Sequence, residues 1–270
     1  MYIAGLGGKS CFMTVPTYVV GDIHGHLQVL ERLLRQGNLV DKALHWSGGD
    51  AVLWFIGDLV DRGPDSIAVI DFVMRLQMEA ALVGGYVDSL LGNHELLMLA
   101  AYRFGQYSNG CSSSFIGQWR RNGGVKSDLA KLTEAHLIWL AERPPLARIG
   151  NNLLVHADAT FYTRYGHSLA AINNTFRALC KRSDVLAWEE MIEAFSTRNV
   201  FMDGCTGEEF INRFLMILGG RRIIHGHTPI STIIGGSAVD VVQPYTYANG
   251  RCLNVDGGIY LGCPGFIHKL

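Results

Sequence analysis

The sequence predicts an α/β fold built around a parallel sheet, and three observations carry that prediction. The first third repeats one unit three times: an apolar run, a loop rich in Gly, Asp and His, and a segment with apolar residues at helical spacing. The runs are continuously apolar instead of alternating, which marks strands buried on both faces and joined by helical crossovers. The composition is that of a turn-rich soluble domain, with 49% apolar residues, only 17% charged residues and 32 glycines in 270 positions. Low charge with a high apolar fraction excludes a disordered chain. The 23 basic and 24 acidic residues nearly cancel to a net −1, so no basic excess points to nucleic acid or an anionic membrane surface. No run approaches the roughly 18 apolar residues of a membrane span.

In chain order, Val15–Val20 is the first predicted strand, followed by the loop Gly21-Asp22-Ile23-His24-Gly25-His26. A helix follows over Leu27–Gln36, with Leu27, Leu30, Leu33 and Leu34 on one face. Ala51–Ile56 repeats the strand, Gly57 to Gly63 the loop, and Pro64–Leu76 the helix, Pro64 suiting a first helical turn. Tyr86–Leu91 is the third strand, Gly92-Asn93-His94-Glu95 its loop and Leu96–Phe104 its helix. Residues 105–128, rich in Gly, Ser and Asn, read as a surface excursion, and Leu129–Ala141 as a helix ended by Pro144-Pro145. Asn152–Val155 leads into His156, and Arg222–Ile224 into His225-Gly226-His227-Thr228-Pro229. Between them, Tyr162 to Glu193 reads as helical. The segments SAVDVV, CLNVDGG, IYLG and FIHKL of the last forty residues read as short strands joined by glycine turns.

No linker or low-complexity block interrupts the chain, so a single domain over 1–270 is expected, with cap or insert segments at 105–128 and 160–200. The six cysteines (11, 111, 180, 205, 252 and 263) form no C-x-x-C pair, which disfavours a zinc ribbon or a thioredoxin-like site. Met1 to Pro16 lacks the charged and apolar regions of a signal peptide, so a cytoplasmic protein with reduced thiols is expected.

Five strand-end loops present Asp22 and His24, Asp58 and Asp61, Asn93 and His94, His156, and His227. In a doubly covered sheet such loops gather at the carboxyl ends of the strands, where ligands bind. Carboxylate, amide oxygen and imidazole at one mouth make a dinuclear metal site, in which Asp58, on the middle repeated unit, is the natural bridge. Cysteine is absent from all these loops, and oxygen with imidazole nitrogen suits Mn, Fe or Zn. A single Asp or His after a strand is more often a turn or capping residue. Five such loops bracketed by Gly21, Gly25, Gly57, Gly63, Gly92 and Gly226 would need five independent accidents.

The motifs G-D-x-H-G (21–25), G-D-x-V-D-R-G (57–63) and G-N-H-E (92–95) resemble the three signatures of PPP-type metallophosphoesterases, the serine/threonine protein phosphatase family. His156 in LLVHAD and His227 in HGHTP resemble that family's two later histidines, and the likeness spans roughly residues 15–260. It implies a calcineurin-like four-layer α/β/β/α sandwich, two mixed sheets flanked by helices. It also implies that Asp22 and His24 bind one divalent metal, Asp58 both, and Asn93, His156 and His227 the second. Two such ions would lower the pKa of a bridging water and clamp the phosphate for in-line attack by the resulting hydroxide. His94 would be the general acid, Asp61 would hold its imidazole, and Arg62 would grip phosphate oxygens. A second phosphate-binding arginine is expected among Arg164, Arg177, Arg182, Arg198, Arg213, Arg221 and Arg222. Arg198, followed by Gly204 and the helical pattern EEFINRFL, is the choice, while Arg221 and Arg222 are expected to fix a turn.

Structural roles are expected for His26, His225, His45, His136, His167 and His268, and a capping role for Glu95. Leu91 before GNHE, and HGHTP in place of RAHQ, resemble bacterial or phage enzymes, so no regulatory subunit is implied. The stretch from Asp61 to Glu95 resembles the Shewanella-like branch, some of whose members prefer phosphotyrosine. The expected activity is a metal-dependent phosphomonoesterase acting on phosphoproteins, at Ser/Thr or Tyr phosphate, with Mn the first choice of metal. The alternative is a symmetrical dinucleoside tetraphosphatase, whose motifs resemble GD-x-V-A-R-G and GNHD. Asp61 and Glu95 favour the phosphatase. A binding module that has lost catalysis is disfavoured because His94, Asp61 and Arg62 are all present.

Overall fold

The three early apolar runs become strands β1 (Thr17–Val20), β2 (Val52–Phe55) and β3 (Tyr86–Ser89), paired in parallel in the computed structural model, which describes residues 15–107 and 114–270. β4 (Leu146–Ile149), β5 (Asn152–Val155), β6 (Arg222–His225), β7 (Tyr245–Tyr247) and β8 (Cys252–Asn254) form a second sheet, and β9 (His268–Lys269) returns to the first. The spatial orders are β3-β2-β1-β9 and β4-β5-β6-β8-β7. β5, β6 and β8 run parallel, while β4, β7 and β9 are antiparallel edges. Both sheets are therefore mixed.

The period of two along each strand shows why the runs are apolar throughout. Val19, Trp54, Ile56, Leu154, Ile224, Leu253 and Val255 pack in one cluster between the sheets. Their neighbours Val20, Leu53, Phe55, Leu153, Val155, Ile223 and Cys252 belong to the core beneath the helices. Ten helices complete the outer layers among the described residues. They are α1 (Leu27–Gln36), α2 (Ser66–Leu82), α3 (Asn93–Phe104), α4 (Phe115–Arg121), α5 (Lys126–Lys131), α6 (Glu134–Ala141), α7 (Leu169–Lys181), α8 (Val185–Phe195), α9 (Gly204–Leu218) and α10 (Ile230–Ile234). The result is the α/β/β/α sandwich, with the carboxyl ends of β1, β2, β3, β5, β6 and β8 at one edge. None of these helices is long and apolar enough to cross a membrane.

Several boundaries differ from expectation. α1 matches at both ends. α2 starts after Pro64, with Asp65 as its N-cap, and runs on to Leu82, because Met78, Glu79, Ala80 and Ala81 are all good helix formers. α3 begins at Asn93 instead of Leu96. The helix expected over 129–141 is two, α5 and α6, separated at Leu132-Thr133, where the Thr133 hydroxyl caps the second. Residues 162–193 form a 3-10 turn (Phe161–Tyr165) and two helices, α7 and α8, instead of one. SAVDVV and IYLG hold 3-10 turns at Ala238–Asp240 and Ile259–Leu261 instead of strands. Arg222 opens the central strand β6, with its Nε donating to Asn152 Oδ1 at 3.0 Å. The surface excursion at 105–128 contains α4, whose Phe115 and Trp119 are buried against the core; residues 108–113 lie outside the described residues, as do Cys11, Cys111 and the N-terminal residues 1–14. Cys180, Cys205, Cys252 and Cys263 are free thiols.

The inter-sheet cluster sets the relation between the two groups of loops. Leu154→Ala, at a site with no exposure, is expected to cost about 2–5 kcal/mol by denaturant titration. Met216→Ala, at an 80% exposed helical site, is expected to stay within about 0.5 kcal/mol. Equal effects would show that the inter-sheet packing is not where stability resides.

Candidate metal and phosphate site

The first two loops are sewn together through their backbones. The N–H groups of Ile23 and His24 both donate to the Asp58 carbonyl, at 3.0 and 2.9 Å, and that of Gly25 to the Leu59 carbonyl at 2.8 Å. Glu95 holds the second loop from the other side. Its carboxylate accepts from the N–H of Asp58 at 2.9 Å, Leu59 at 2.7 Å and Gly92 at 2.8 Å. The expected capping role is thus real, and it also fixes the backbone of Asp58. The third loop closes onto Asp58 so tightly that a Cβ on Gly92 would lie 2.2 Å from Asp58 Oδ1. His94 donates its backbone N–H to that same oxygen at 3.0 Å.

Five of the candidate residues adopt left-handed backbone: His24 (φ 48°), Asp58 (52°), Asp61 (66°), Arg62 (66°) and His227 (71°). Such conformations cost about 1–3 kcal/mol each and persist only where the surroundings impose them.

The side chains converge as expected. His24 Nδ1 donates to the Val60 carbonyl at 3.0 Å and His156 Nδ1 to the Ile56 carbonyl at 2.8 Å. Each bond orients the opposite nitrogen, Nε2, toward the centre, the usual arrangement for imidazoles that hold metals. Asp58 sits between two groups able to hold a cation, His24–Asp58–His94 and Asp58–His156–His227, all buried. In the second, His156 Nε2 lies 3.4 Å from Asp58 Oδ1 and 2.9 Å from Asn93 Oδ1. His227 Nδ1 lies 2.8 Å from Asn93 Oδ1 and 3.2 Å from His156 Nε2. Bonds of about 2.1 Å place adjacent donors about 3.0 Å apart around an octahedral ion and about 3.4 Å around a tetrahedral one. The spacing of these four donors fits a divalent cation. Asp22 lies outside both tight groups, and its carboxylate accepts from the His227 N–H at 3.1 Å.

Electrostatics fit the same reading. Burial, then the charges of Asp256 and Asp58, push Asp22 well above the usual carboxylate range. Burial opposes ionisation of Asp58 as well, but His156, His94 and His24 outweigh it and hold the group well below its ordinary value. Burial lowers His24 and His227 strongly, which leaves their lone pairs free. For His156, burial disfavours the proton, but Asp58 and Asp22 prevail and raise it to about 10. Cations placed among these carboxylates would relieve their mutual repulsion.

His94 and Asp61 form a buried pair, Nδ1 to Oδ2 at 2.8 Å, with His94 Nε2 unpartnered and 3.9 Å from Asp58 Oδ2. Arg62 donates to His24 Nε2 at 2.9 Å, and its guanidinium lies 4.0 Å from the centre of the Tyr260 ring. Arg62, Asn93 and Arg198 line one cavity of about 380 Å³, with Gln118, Arg121, Asn122, Ile192 and Ser196 on its walls. Arg198 is the one arginine of the seven between His156 and His227 that lines it. Residues of both 105–128 and 160–200 line this cavity, Gln118 and Arg121 from α4 and Ile192 from the end of α8. Four of the other histidines have partners in the structure. His26 bonds the carbonyls of its own loop, His225 meets the Tyr247 hydroxyl at 2.8 Å, and His45 and His136 pair with Glu79 and Asp71.

Four residues escaped the sequence reading: Trp119, Arg121, Tyr260 and Asp256. Asp256 was findable, because NVDGG repeats the apolar-strand-then-Asp-Gly pattern of the other loops. It is buried, and desolvation with the nearby Asp58 charge raises it to about 7. The others lie on segments whose relation to the site depends on tertiary folding.

A family model described as calcineurin-like phosphoesterase matches residues 15–231. Shewanella-like protein phosphatase 2 of Arabidopsis thaliana is 32% identical over 90% of this chain and 71% of its own length. The symmetrical bis(5'-nucleosyl)-tetraphosphatase of Legionella pneumophila is 40% identical, over 34% of this chain and 28% of its own. A cold-active protein-tyrosine phosphatase from a psychrophilic Shewanella species shares the fold, with a TM-score of 0.71 at 19% identity over 95% of this chain and 75% of that one. The chain belongs to the calcineurin-like phosphoesterase family of hydrolases, in its PPP-type, Shewanella-like branch.

Because His156 is raised to about 10 and Asp22 is also pushed well upward, while metal ligands must give up their protons, metal uptake at neutral pH is expected to release at least one proton. Affinity should therefore rise as pH increases toward that value. Calorimetric titration of chelator-stripped protein with Mn²⁺, in two buffers of different ionisation enthalpy, measures the release. Identical heats in both buffers would contradict it.

Proposed function

We propose that the chain is a dinuclear phosphomonoesterase that removes phosphate from Ser/Thr or Tyr residues of phosphoproteins. The observation that carries this reading is the buried His94–Asp61 pair at 2.8 Å, aimed at the shared carboxylate Asp58 beside a cavity lined by Arg62 and Arg198. A phosphoester has a poor leaving group and needs a positioned acid, whereas a phosphoanhydride departs more readily. The likeness to the Arabidopsis phosphatase along 90% of the chain supports the same choice. Four free thiols among the described residues suit a reducing cytoplasm.

Asp22, His24 and Asp58 would hold one divalent cation, and Asp58, Asn93, His156 and His227 the other. Manganese is the first choice for this donor set, with iron or zinc as alternatives. When bound, such a pair polarises the phosphoryl group and makes water nucleophilic at neutral pH. The protein's own groups do the rest. Arg62 and Arg198 bind the outer phosphoryl oxygens with charge-assisted hydrogen bonds. His94 Nε2 delivers a proton to the departing oxygen, while the Nδ1 bond to Asp61 fixes the ring. Glu95 keeps the Asp58 loop from moving as charge develops. A dinucleoside tetraphosphatase is the second reading, favoured by the third arginine, Arg121, on the cavity wall and by the Legionella relative.

Chelator-stripped protein is expected to be inactive on aryl phosphates and to recover with Mn²⁺; full activity after stripping would sink the dinuclear mechanism. His94→Asn is expected to lower kcat on a phosphoserine peptide by about 10²–10⁴-fold, the usual worth of a general acid, with metal content unchanged. An unaltered rate would remove His94 from that role. The deciding comparison sets phosphoserine, phosphothreonine and phosphotyrosine peptides against a dinucleoside tetraphosphate. A thousandfold preference for the last would replace the main reading with the second.

A further inference from the structure

Trp119 lies in α4, on the segment that reads in sequence as a polar surface excursion, yet its side chain has no exposure. Its indole Nε1–H donates to Asp61 Oδ1 at 2.7 Å, while Asp61 Oδ2 accepts from His94 Nδ1 at 2.8 Å. The Asp61 backbone N–H donates to the Ser66 hydroxyl at 3.0 Å. Both oxygens of the carboxylate are thus occupied, one by the ring it orients and one by a rigid donor 58 residues away in sequence. The segment that supplies the indole also holds the next residue: the Arg62 N–H donates to the Gly123 carbonyl at 2.9 Å. The approach is close at both glycines. A Cβ on Gly123 would lie 2.6 Å from Arg62 Cγ, and one on Gly124 would lie 2.1 Å from the Trp119 ring. Asp61 and Arg62 are consecutive left-handed residues, a backbone that needs outside support to persist. Trp119 and Gly123 supply it.

We propose that Trp119 is a positioning residue for proton delivery, holding the Asp61 carboxylate at the angle that aims His94 at the leaving oxygen, while Gly123 separately sets Arg62 for phosphate binding. The inference rests on His94 acting as the general acid. In that step the new P–O bond to the attacking hydroxide forms as the bond to the leaving oxygen breaks. The bonding pair stays on that oxygen, and the His94 Nε2 proton neutralises it. An indole N–H is well suited to the task. It donates only, it sits on a large ring locked by packing, and it cannot take the dyad's proton. Losing it leaves the fold's apolar contacts in place but lets the carboxylate rotate, and misplacement of a reacting group by even an ångström is costly.

The test is the dependence of rate on leaving group. Trp119→Phe keeps an aromatic ring and removes the donor. It is expected to lower kcat about tenfold or more on a phosphoserine peptide and less than about threefold on 4-nitrophenyl phosphate, whose leaving group needs little protonation. In an Asp61→Asn background the same substitution should cost less than about twofold, because the two residues act as a unit. Gly123→Ala should instead raise KM for both substrates and leave the leaving-group dependence as in the parent. Equal losses on both substrates, or losses that multiply in the double variant, would overturn the inference. If Asp61→Asn itself shows no leaving-group dependence, the general-acid reading falls and this one with it. If Asp61→Asn shows that dependence and Trp119→Phe does not, only the role of Trp119 fails. Should Trp119→Phe not fold, the indole N–H resonance of Trp119 in the parent protein serves. It is expected to shift and to lose protection from exchange on Asp61→Asn, and an unmoved, unprotected resonance would refute the coupling.

Discussion

The buried carboxylate of Asp58 is the constraint around which the rest of the structure is arranged. Its two oxygens face imidazoles from three other loops, at 3.4 Å for His156, 3.8 Å for His24 and 3.9 Å for His94. Its carbonyl receives two N–H groups of the first loop, and its own N–H is taken by Glu95. A charge with no exposure to water is tolerated only when it is paired and hydrogen-bonded on every side. The two-sheet architecture supplies those partners, because it brings the carboxyl ends of six parallel strands to one edge. Without the inter-sheet cluster of Val19, Trp54, Leu154, Ile224 and Leu253, the histidines of the second sheet would not reach an aspartate on the first.

The same edge concentrates negative charge. Asp22, Asp58, Asp61, Glu95 and Asp256 are all buried there, and burial with mutual repulsion pushes Asp22, Glu95 and Asp256 upward. Asp58 alone of these five carboxylates is held low, by imidazoles. A protein selected for stability alone would not gather these groups in a low dielectric. The arrangement makes physical sense as a receptor for multivalent cations, and the chain's near-zero net charge conceals it. Positive charge gathers beside it, with Arg62, Arg121 and Arg198 lining one cavity.

Much of this was legible in one chain. Gly21 to Gly25, Gly57 to Gly63 and Gly92 to Glu95 each follow an apolar strand, so the side chains they present had to share one sheet edge. His156 and His227 follow the same rule on the second sheet. Arg198 could be picked from seven arginines by its order relative to Gly204, and it lines the cavity. Errors fell where local signals conflict with distant packing. Residues 105–128 are polar and glycine-rich, yet α4 is drawn inward by Phe115 and Trp119. The first turn of α3 reads as loop because Asn93 and His94 are ligand-type side chains, although the helix begins at Asn93 and Glu95 caps it. SAVDVV has strand composition but is too short and too close to glycine turns to pair, and it forms a 3-10 turn.

The sequence by itself determined the repeated strand-loop-helix units, the identity of the metal-type side chains and the glycines that let loops approach one another. These are local properties, fixed by periodicity, backbone freedom and residue chemistry. The tertiary structure decided which groups complete them: Trp119 on Asp61, Glu95 beneath Asp58, Tyr260 over Arg62 and Asp256 beside Asp22. Each of those contacts joins separate segments through a hydrogen bond, a ring face or a shared field. Such interactions depend on distance and angle in space, and no spacing along the chain encodes them.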